Sequence, residues 1–137
     1  MKWVADRTGR FTQRPHWKPE ELDAECDVVL AEFRRSTGRA SAYPLSTDDL
    51  TVLLESSVGE LDLYADLSSE PGDVQGMTQF VPGTKPTVQI SAALTTDARR
   101  ANRLRTTITH ELGHVRLHGF LVDLDQPMTM FSGPDRR

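Results

Sequence analysis

Length, composition and charge limit the chain to one small globular domain. It has 137 residues, of which 37% are hydrophobic and 26% charged, enough for a single core. The net charge of −4 argues against binding to nucleic acid or to a membrane through the whole surface. The single cysteine, Cys26, excludes an internal disulfide and favours a reducing compartment. There is no apolar leader and no apolar run of about 20 residues, so we expect a cytoplasmic protein.

Residues 1–18 are predicted to be a basic amino-terminal arm. Lysines and arginines outnumber the single Asp6 and give this segment a net charge of +4. Its glycine and proline predict extended or turn structure. Three aromatic residues are many for a free tail, so we expect the arm to lie across the domain: Trp3, Phe11 and Trp17. A partner-binding arm is the alternative.

Two amphipathic helices follow the arm. The first is predicted from about Pro19 to Thr37, because proline suits the first turn and Gly38 suits a stop. Its apolar stripe is predicted to face the core: Leu22, Cys26, Val29, Leu30 and Phe33. Ser46 is predicted to cap the second helix. The inward-facing residues of that helix are Leu50, Leu53 and Leu54.

The pattern then changes to short strands. Leu61, Leu63 and Ala65 alternate with polar residues, which predicts a strand. Residues 74–80 and 87–91 are two further candidates, separated by turns rich in proline and glycine. We therefore expect an α+β fold, with the helices packed on a small antiparallel sheet of about three strands.

A long helix and a tail complete the chain. The helix is predicted from about Asp97 through His118, with Thr95 or Thr96 as its cap and Gly119 as its stop. Proline and glycine break the residues beyond it. The predicted organisation is thus an arm at 1–18, a folded body at 19–119 and an irregular tail at 120–137.

The long helix carries the pattern H-E-x-x-H at residues 110–114. Four helical residues make about 1.1 turns, so His110 and His114 lie on one face, about 6 Å apart along the axis. Two imidazoles in that arrangement can share one Zn²⁺ at about 2.0–2.1 Å each. Glu111 is rotated about 100° from His110, so it points beside such a metal and not at it. A carboxylate there can take a proton from a zinc-bound water and return it to a leaving amine.

The alternative is a buried helix with two incidental histidines. Two stripes that run side by side along the helix argue against it. One is polar and consists of Arg103, Thr107, His110, His114 and His118. The other is apolar and is predicted to face the core: Leu104, Ile108, Leu112 and Val115. Gly113, on the far side, predicts close packing against another backbone.

These residues resemble the ImmA/IrrE family of bacterial and phage metallo-endopeptidases. The matching segments are 102–114 with His118, the strand 88–90 and residues 76–80, and segments 6–11, 14–16 and 21–23 are similar to one subgroup. The resemblance implies a zincin-like domain that hydrolyses peptides. It implies His110 and His114 as zinc ligands and Glu111 as the acid/base. The implied substrate is a helix-turn-helix transcriptional repressor, cleaved to switch on stress or mobile-element genes.

The third zinc ligand is not evident in the sequence. The family takes it from a glutamate on a later helix, and no glutamate follows Glu111 here. His118 is about 12 Å along the axis from His110, too far to share the metal. Asp123 and Asp125 are the nearest carboxylates, and they require a sharp reversal of the chain. The other possibilities are a fragment of a longer protein, a ligand from a partner, or a two-histidine site that binds zinc weakly.

Three functions remain open. The first is a zinc endopeptidase, whose substrate is predicted to add as a strand at a sheet edge formed by Val88, Gln89 and Ile90. The second is a catalytically incomplete regulatory or protein-binding module that keeps the zincin fold. The third is a nucleic-acid binder that uses the basic arm, but four net charges on one segment support it poorly.

Overall fold

The computed structural model describes residues 1–9, 11–38, 45–118 and 127–133. The chain divides into two compact units, Met1–Ser41 and Ala42–Arg137. Helices and strands occur together, so the α+β class predicted from the sequence is confirmed. In the described ranges, no helix is both long and apolar enough to cross a membrane.

The first unit is a β-hairpin followed by a helix. Strand β1 (Lys2–Ala5) pairs antiparallel with β2 (Gln13–His16), so much of the predicted arm is paired strand. Helix α1 spans Pro19–Thr37 and groups with this hairpin. The division of the chain therefore lies after Ser41 and not at the predicted boundary after residue 18.

Helix α1 has the predicted ends but not the predicted core face. Proline occupies its first turn, and Gly38 ends it in the left-handed conformation with φ 66°. Of the predicted stripe, only Phe33 is buried. Cys26 is exposed, so the prediction that it is a core residue is wrong. Leu22, Val29 and Leu30 are partly buried, so the apolar spacing identified a shared helix face but not how far that face is covered.

The second unit is built on one mixed sheet of four strands. In chain order the strands are β3 (Glu60–Ala65), β4 (Gly76–Phe80), β5 (Thr87–Ser91) and β6 (Met128–Ser132). Their order in the sheet is β3-β5-β4-β6. β3 pairs parallel with β5, and the other two pairings are antiparallel.

This sheet corrects two sequence predictions. The predicted sheet was antiparallel with about three strands, whereas the observed sheet is mixed and has a fourth strand. That strand, β6, lies in the predicted irregular tail, where the flanking Pro127 and Gly133 hid a five-residue strand from the pattern analysis. Pairing with β4 along its whole length stabilises β6, and pairing of this kind is not visible in local sequence.

Helices cover the sheet of the second unit. Helix α2 (Thr47–Ser57) is capped as predicted, since the Ser46 hydroxyl accepts a hydrogen bond of 3.0 Å from the backbone N–H of Asp49. Its three predicted inward-facing leucines are buried. A short helix α3 (Ala92–Thr95) and a 3₁₀ turn (Ala98–Arg100) precede α4 (Ala101–Leu117). The long helix therefore begins four residues later than predicted.

Helix α4 is held in the second unit by α2 on one side and by the sheet on another. Its buried apolar residues are Ile108, Leu112 and Val115, three of the four predicted core positions. Leu104 is only partly buried. This packing fixes the rotation of α4 about its axis, and with it the direction of the H-E-x-x-H side chains.

The end of β6 leaves no room for a side chain at Gly133. A Cβ built there would lie 2.2 Å from the carbonyl oxygen of Asp73, a backbone atom that cannot rotate away. We expect Gly133→Ala to lower the free energy of unfolding by about 1–3 kcal/mol, because the strand must shift to relieve the contact. Urea denaturation followed by circular dichroism measures this.

Gly113→Ala is the matched control. A Cβ at Gly113 meets no described atom within 4 Å, so the prediction of close backbone packing there is wrong. Alanine is favoured over glycine by about 1 kcal/mol inside a helix, so this variant is expected to be more stable than the parent protein. A Gly133→Ala protein as stable as the parent would contradict the observed seating of β6.

Candidate metal centre

Three histidines line one face of α4 at successive turns. The ring centroids of His110 and His114 are 4.5 Å apart, in an edge-to-face arrangement. Those of His114 and His118 are 5.2 Å apart, and their Nδ1 atoms approach to 3.1 Å. The predicted stacking of His110 and His114 on one helix face is therefore confirmed. It follows from the four-residue spacing on a regular helix.

His114 is the most constrained of the three rings. Burial, with the neighbouring His110 and His118, lowers its pKa from 6.5 to about 4, so the ring is neutral at neutral pH. A neutral imidazole is the form that binds metals. Its Nε2 atom is buried and has no hydrogen-bond partner in the described part of the chain. A lone pair in that position suits a zinc ligand.

Glu111 lies in the core of the second unit and is fully buried. Its carboxylate accepts hydrogen bonds from the hydroxyl of Thr78 on β4 and from the hydroxyl of Ser132 on β6. Burial raises the pKa of this carboxyl, and the two hydroxyls oppose the shift. The carboxylate therefore joins the helix to two strands, a role that its position in the motif did not predict.

Gly76 makes room for this carboxylate. A Cβ on Gly76 would lie 2.6 Å from Oε1 of Glu111 and 2.7 Å from the Ser132 hydroxyl. Sequence analysis missed Gly76, Thr78 and Ser132 as site residues. The sequence offered one weak indication of these residues. Gly76 and Thr78 are two positions apart on one strand, so they share a face of the sheet.

A second polar contact fixes the adjoining end of β6. The backbone N–H of Gln75 donates to the carbonyl of Ser132 at 2.8 Å. Nε of Arg103 donates to the side-chain oxygen of Gln75 at 2.5 Å. Arg103 belongs to the predicted polar stripe, but its partner is this glutamine.

The structure does not supply the remaining predicted site residues. Among the described residues, no group of three or more His, Cys, Asp or Glu side chains is arranged to hold a metal ion. Asp123 and Asp125, the weak candidates for a third ligand, lie outside the described residues. His110 and His114 are suitably placed to be two ligands of one ion. The described residues do not supply a third ligand.

The prediction that Val88, Gln89 and Ile90 form a substrate-binding edge is wrong. These residues belong to β5, which lies between β3 and β4. The backbone of β5 already pairs with a strand on each side, so no peptide can add there. Val88 and Ile90 are also buried.

Comparison with protein-family models, with curated proteins and with solved structures finds no match. The functional interpretation therefore rests on the residues of the chain and on their geometry.

We expect the two hydroxyls that hold Glu111 to stabilise the fold together. Thr78→Val and Ser132→Ala each remove one donor from a buried carboxylate, which is expected to lower the free energy of unfolding by about 1–3 kcal/mol. Since both donors share one acceptor, the double variant should depart from additivity by about 0.5–3 kcal/mol. Urea denaturation of the four proteins of this cycle measures both quantities.

Thr129→Val is the control for that cycle. Thr129 lies on β6, is only partly buried and, at an odd number of residues from Ser132, lies on the opposite face of the sheet. Its replacement is expected to change stability by less than about 0.5 kcal/mol. Equal effects of Thr129→Val and Ser132→Ala would show that the Ser132 hydroxyl has no special role.

Burial of Glu111 also predicts a pH dependence of stability. Its pKa in the folded protein lies above the ordinary value of 4.5, so the folded state holds the proton more tightly than the unfolded chain. The resulting stabilisation is complete below pH 4.5 and is lost as the pH rises through the folded pKa. Glu111→Gln lacks this contribution.

The measurement compares parent and Glu111→Gln proteins by urea denaturation over a pH series, with a chelator present so that no metal contributes. The free energy of unfolding of the parent, minus that of the variant, is expected to decrease as the pH rises. A difference that does not change with pH would contradict the raised pKa.

Proposed function

We propose that this protein is a zinc-dependent endopeptidase of the ImmA/IrrE type, which cleaves a helix-turn-helix transcriptional repressor. The observation that carries the proposal is the pair formed by His110 and His114. Their rings are 4.5 Å apart on adjacent turns, and the buried Nε2 of His114 has no partner among the described residues. That geometry supports shared coordination of one zinc ion. The choice of substrate follows from the sequence resemblance alone.

Each motif residue has a separate task in this proposal. His110 and His114 bind zinc through ring nitrogens. Zinc, when bound, acts as a Lewis acid that activates water and polarises the peptide carbonyl. Glu111 takes a proton from the attacking water and returns it to the leaving amine. Thr78 and Ser132 hold the Glu111 carboxylate at the start of the cycle.

We also propose that the substrate peptide pairs with an outer strand of the sheet. In the described sheet these strands are β3 and β6. β3 is an irregular strand: its register with β5 shifts between Asp62 and Ala65, and the backbone N–H of Tyr64 donates to the Asp62 carboxylate. Irregular edges resist strand addition. β6 is the outer strand that contacts α4, so it is the better candidate.

A second function is favoured by the position of Glu111. A carboxylate that is fully buried and bonded to two hydroxyls has no access to bulk water. This state suits a regulatory or protein-binding module that keeps the fold and lacks catalysis.

Zinc content and peptide cleavage, measured together, test the proposal. The purified protein is dialysed against zinc, its bound zinc is counted, and cleavage of a library of quenched fluorescent peptides is recorded. Glu111→Gln is expected to keep zinc and to lose at least about 100-fold in cleavage rate, because an amide cannot accept the proton. His110→Ala is expected to lose zinc.

The outcomes separate the two functions. Zinc-dependent cleavage that disappears in Glu111→Gln supports the peptidase. Zinc binding with no cleavage by the parent protein supports the non-catalytic module. Cleavage that is unchanged in Glu111→Gln would contradict the role given to this carboxylate.

A further inference from the structure

The contact between His114 and His118 determines which nitrogen of His114 is available to a metal. Their Nδ1 atoms are 3.1 Å apart, a hydrogen-bonding distance. A neutral imidazole has one N–H donor and one lone pair. One of these two Nδ1 atoms must therefore donate and the other accept.

The direction of this bond has opposite consequences at the far side of the His114 ring. If His118 donated, the proton of neutral His114 would lie on Nε2, which is buried and has no acceptor in the described part of the chain. A buried N–H without a partner costs about 1–3 kcal/mol, and such groups are rare in folded proteins. If His114 donates, its Nε2 carries a lone pair, which is the form that binds a metal.

We propose that His118 is a positioning residue for zinc. It accepts a hydrogen bond from Nδ1–H of His114 and thereby holds Nε2 of His114 as the coordinating atom. The proposal rests on the proposed function, because it assumes that His114 is a zinc ligand. Metal-binding histidines commonly donate their second nitrogen to such a partner, which fixes the tautomer and the orientation of the ring.

The backbone at the end of α4 holds the rings of His114 and His118 next to each other. His118 is the residue that caps the helix, with φ −111° and ψ 20°. Its backbone N–H donates to the carbonyl of His114 at 2.9 Å. The two residues are thus joined by their backbones as well as by their rings, and the His118 ring is held against Nδ1 of His114. His118 is therefore a partner of a ligand in this arrangement, and not the missing third ligand.

Two replacements of nearly equal size test the role of His118. In His118→Asn the amide oxygen takes the place of Nδ1 and can still accept the bond. In His118→Leu a methyl group takes that place and no acceptor remains. Zinc affinity is measured by competition with a chromophoric chelator. His118→Leu is expected to bind zinc about 10–100-fold more weakly than the parent protein, and His118→Asn is expected to lose less than about tenfold.

A second measurement does not depend on zinc. Nitrogen-15 NMR of the imidazoles in metal-free protein at neutral pH shows which nitrogen of His114 carries the proton. We expect the proton on Nδ1 in the parent and in His118→Asn. In His118→Leu this preference is expected to be lost, whereas a purely structural role of His118 would not change the tautomer.

Three results would overturn the inference. The first is equal loss of zinc affinity in the Asn and Leu variants. The second is a proton on Nε2 of His114 in the parent protein. The third is zinc binding that survives His110→Ala and disappears in His118→Leu, which would place the metal between the two Nδ1 atoms. A parent protein that binds no zinc contradicts the proposed function, and the tautomer of His114 then still decides the hydrogen bond.

Discussion

The burial of the Glu111 carboxylate is the constraint on which the rest of the second unit depends. A carboxylate without hydrogen bonds is too costly to leave in a protein core. Donors must therefore come from the strands that face the helix, and Thr78 and Ser132 provide them. The space must come from a residue without a side chain, and Gly76 provides it. One motif residue on α4 thus accounts for three residues on β4 and β6.

The histidines of the same helix are held by a different arrangement. His110 lies at the exposed edge of α4, and His114 and His118 are partly buried. Burial and mutual proximity keep His114 neutral, since each additional positive charge in this column would be repelled by its neighbours. Glu111 needs hydrogen-bond donors, whereas Nε2 of His114 must stay free of them to bind a metal. The helix meets both requirements because its core face and its histidine face are adjacent.

Sequence analysis correctly predicted the features of the fold that depend on residues close together in the chain. The ends of α1, the cap of α2, the core face of α4 and the stacking of His110 on His114 follow from helix period and capping chemistry. β5 was also predicted with its observed bounds, but its neighbours in the sheet were not. Strand order depends on pairing between distant segments, and β6 becomes a strand only through its pairing with β4. The same limit hid the partners of Glu111, because Thr78 and Ser132 are far from it in sequence.

The prediction that Cys26 is a core residue was wrong for another reason. A helical stripe predicts which residues share a face, but not how much of that face is covered.

The histidines and the glutamate of the H-E-x-x-H motif lie in different surroundings. This difference matters for deciding between a peptidase and a non-catalytic module. In the proposed peptidase, metal binding depends on the histidine face, and Nε2 of His114 is buried without a hydrogen-bond partner among the described residues. Proton transfer in that proposal depends on Glu111, whose carboxylate accepts hydrogen bonds from Thr78 and Ser132 on the sheet. Each carboxylate oxygen accepts a hydrogen bond from one of the two hydroxyls and keeps a further lone pair, but the side chain is fully buried and has no contact with bulk water. The proposed catalysis would therefore require water to reach Glu111, while the proposed zinc binding would require no such change. The same arrangement could bind zinc without cleaving peptides, and for this reason zinc content alone would not identify a peptidase here.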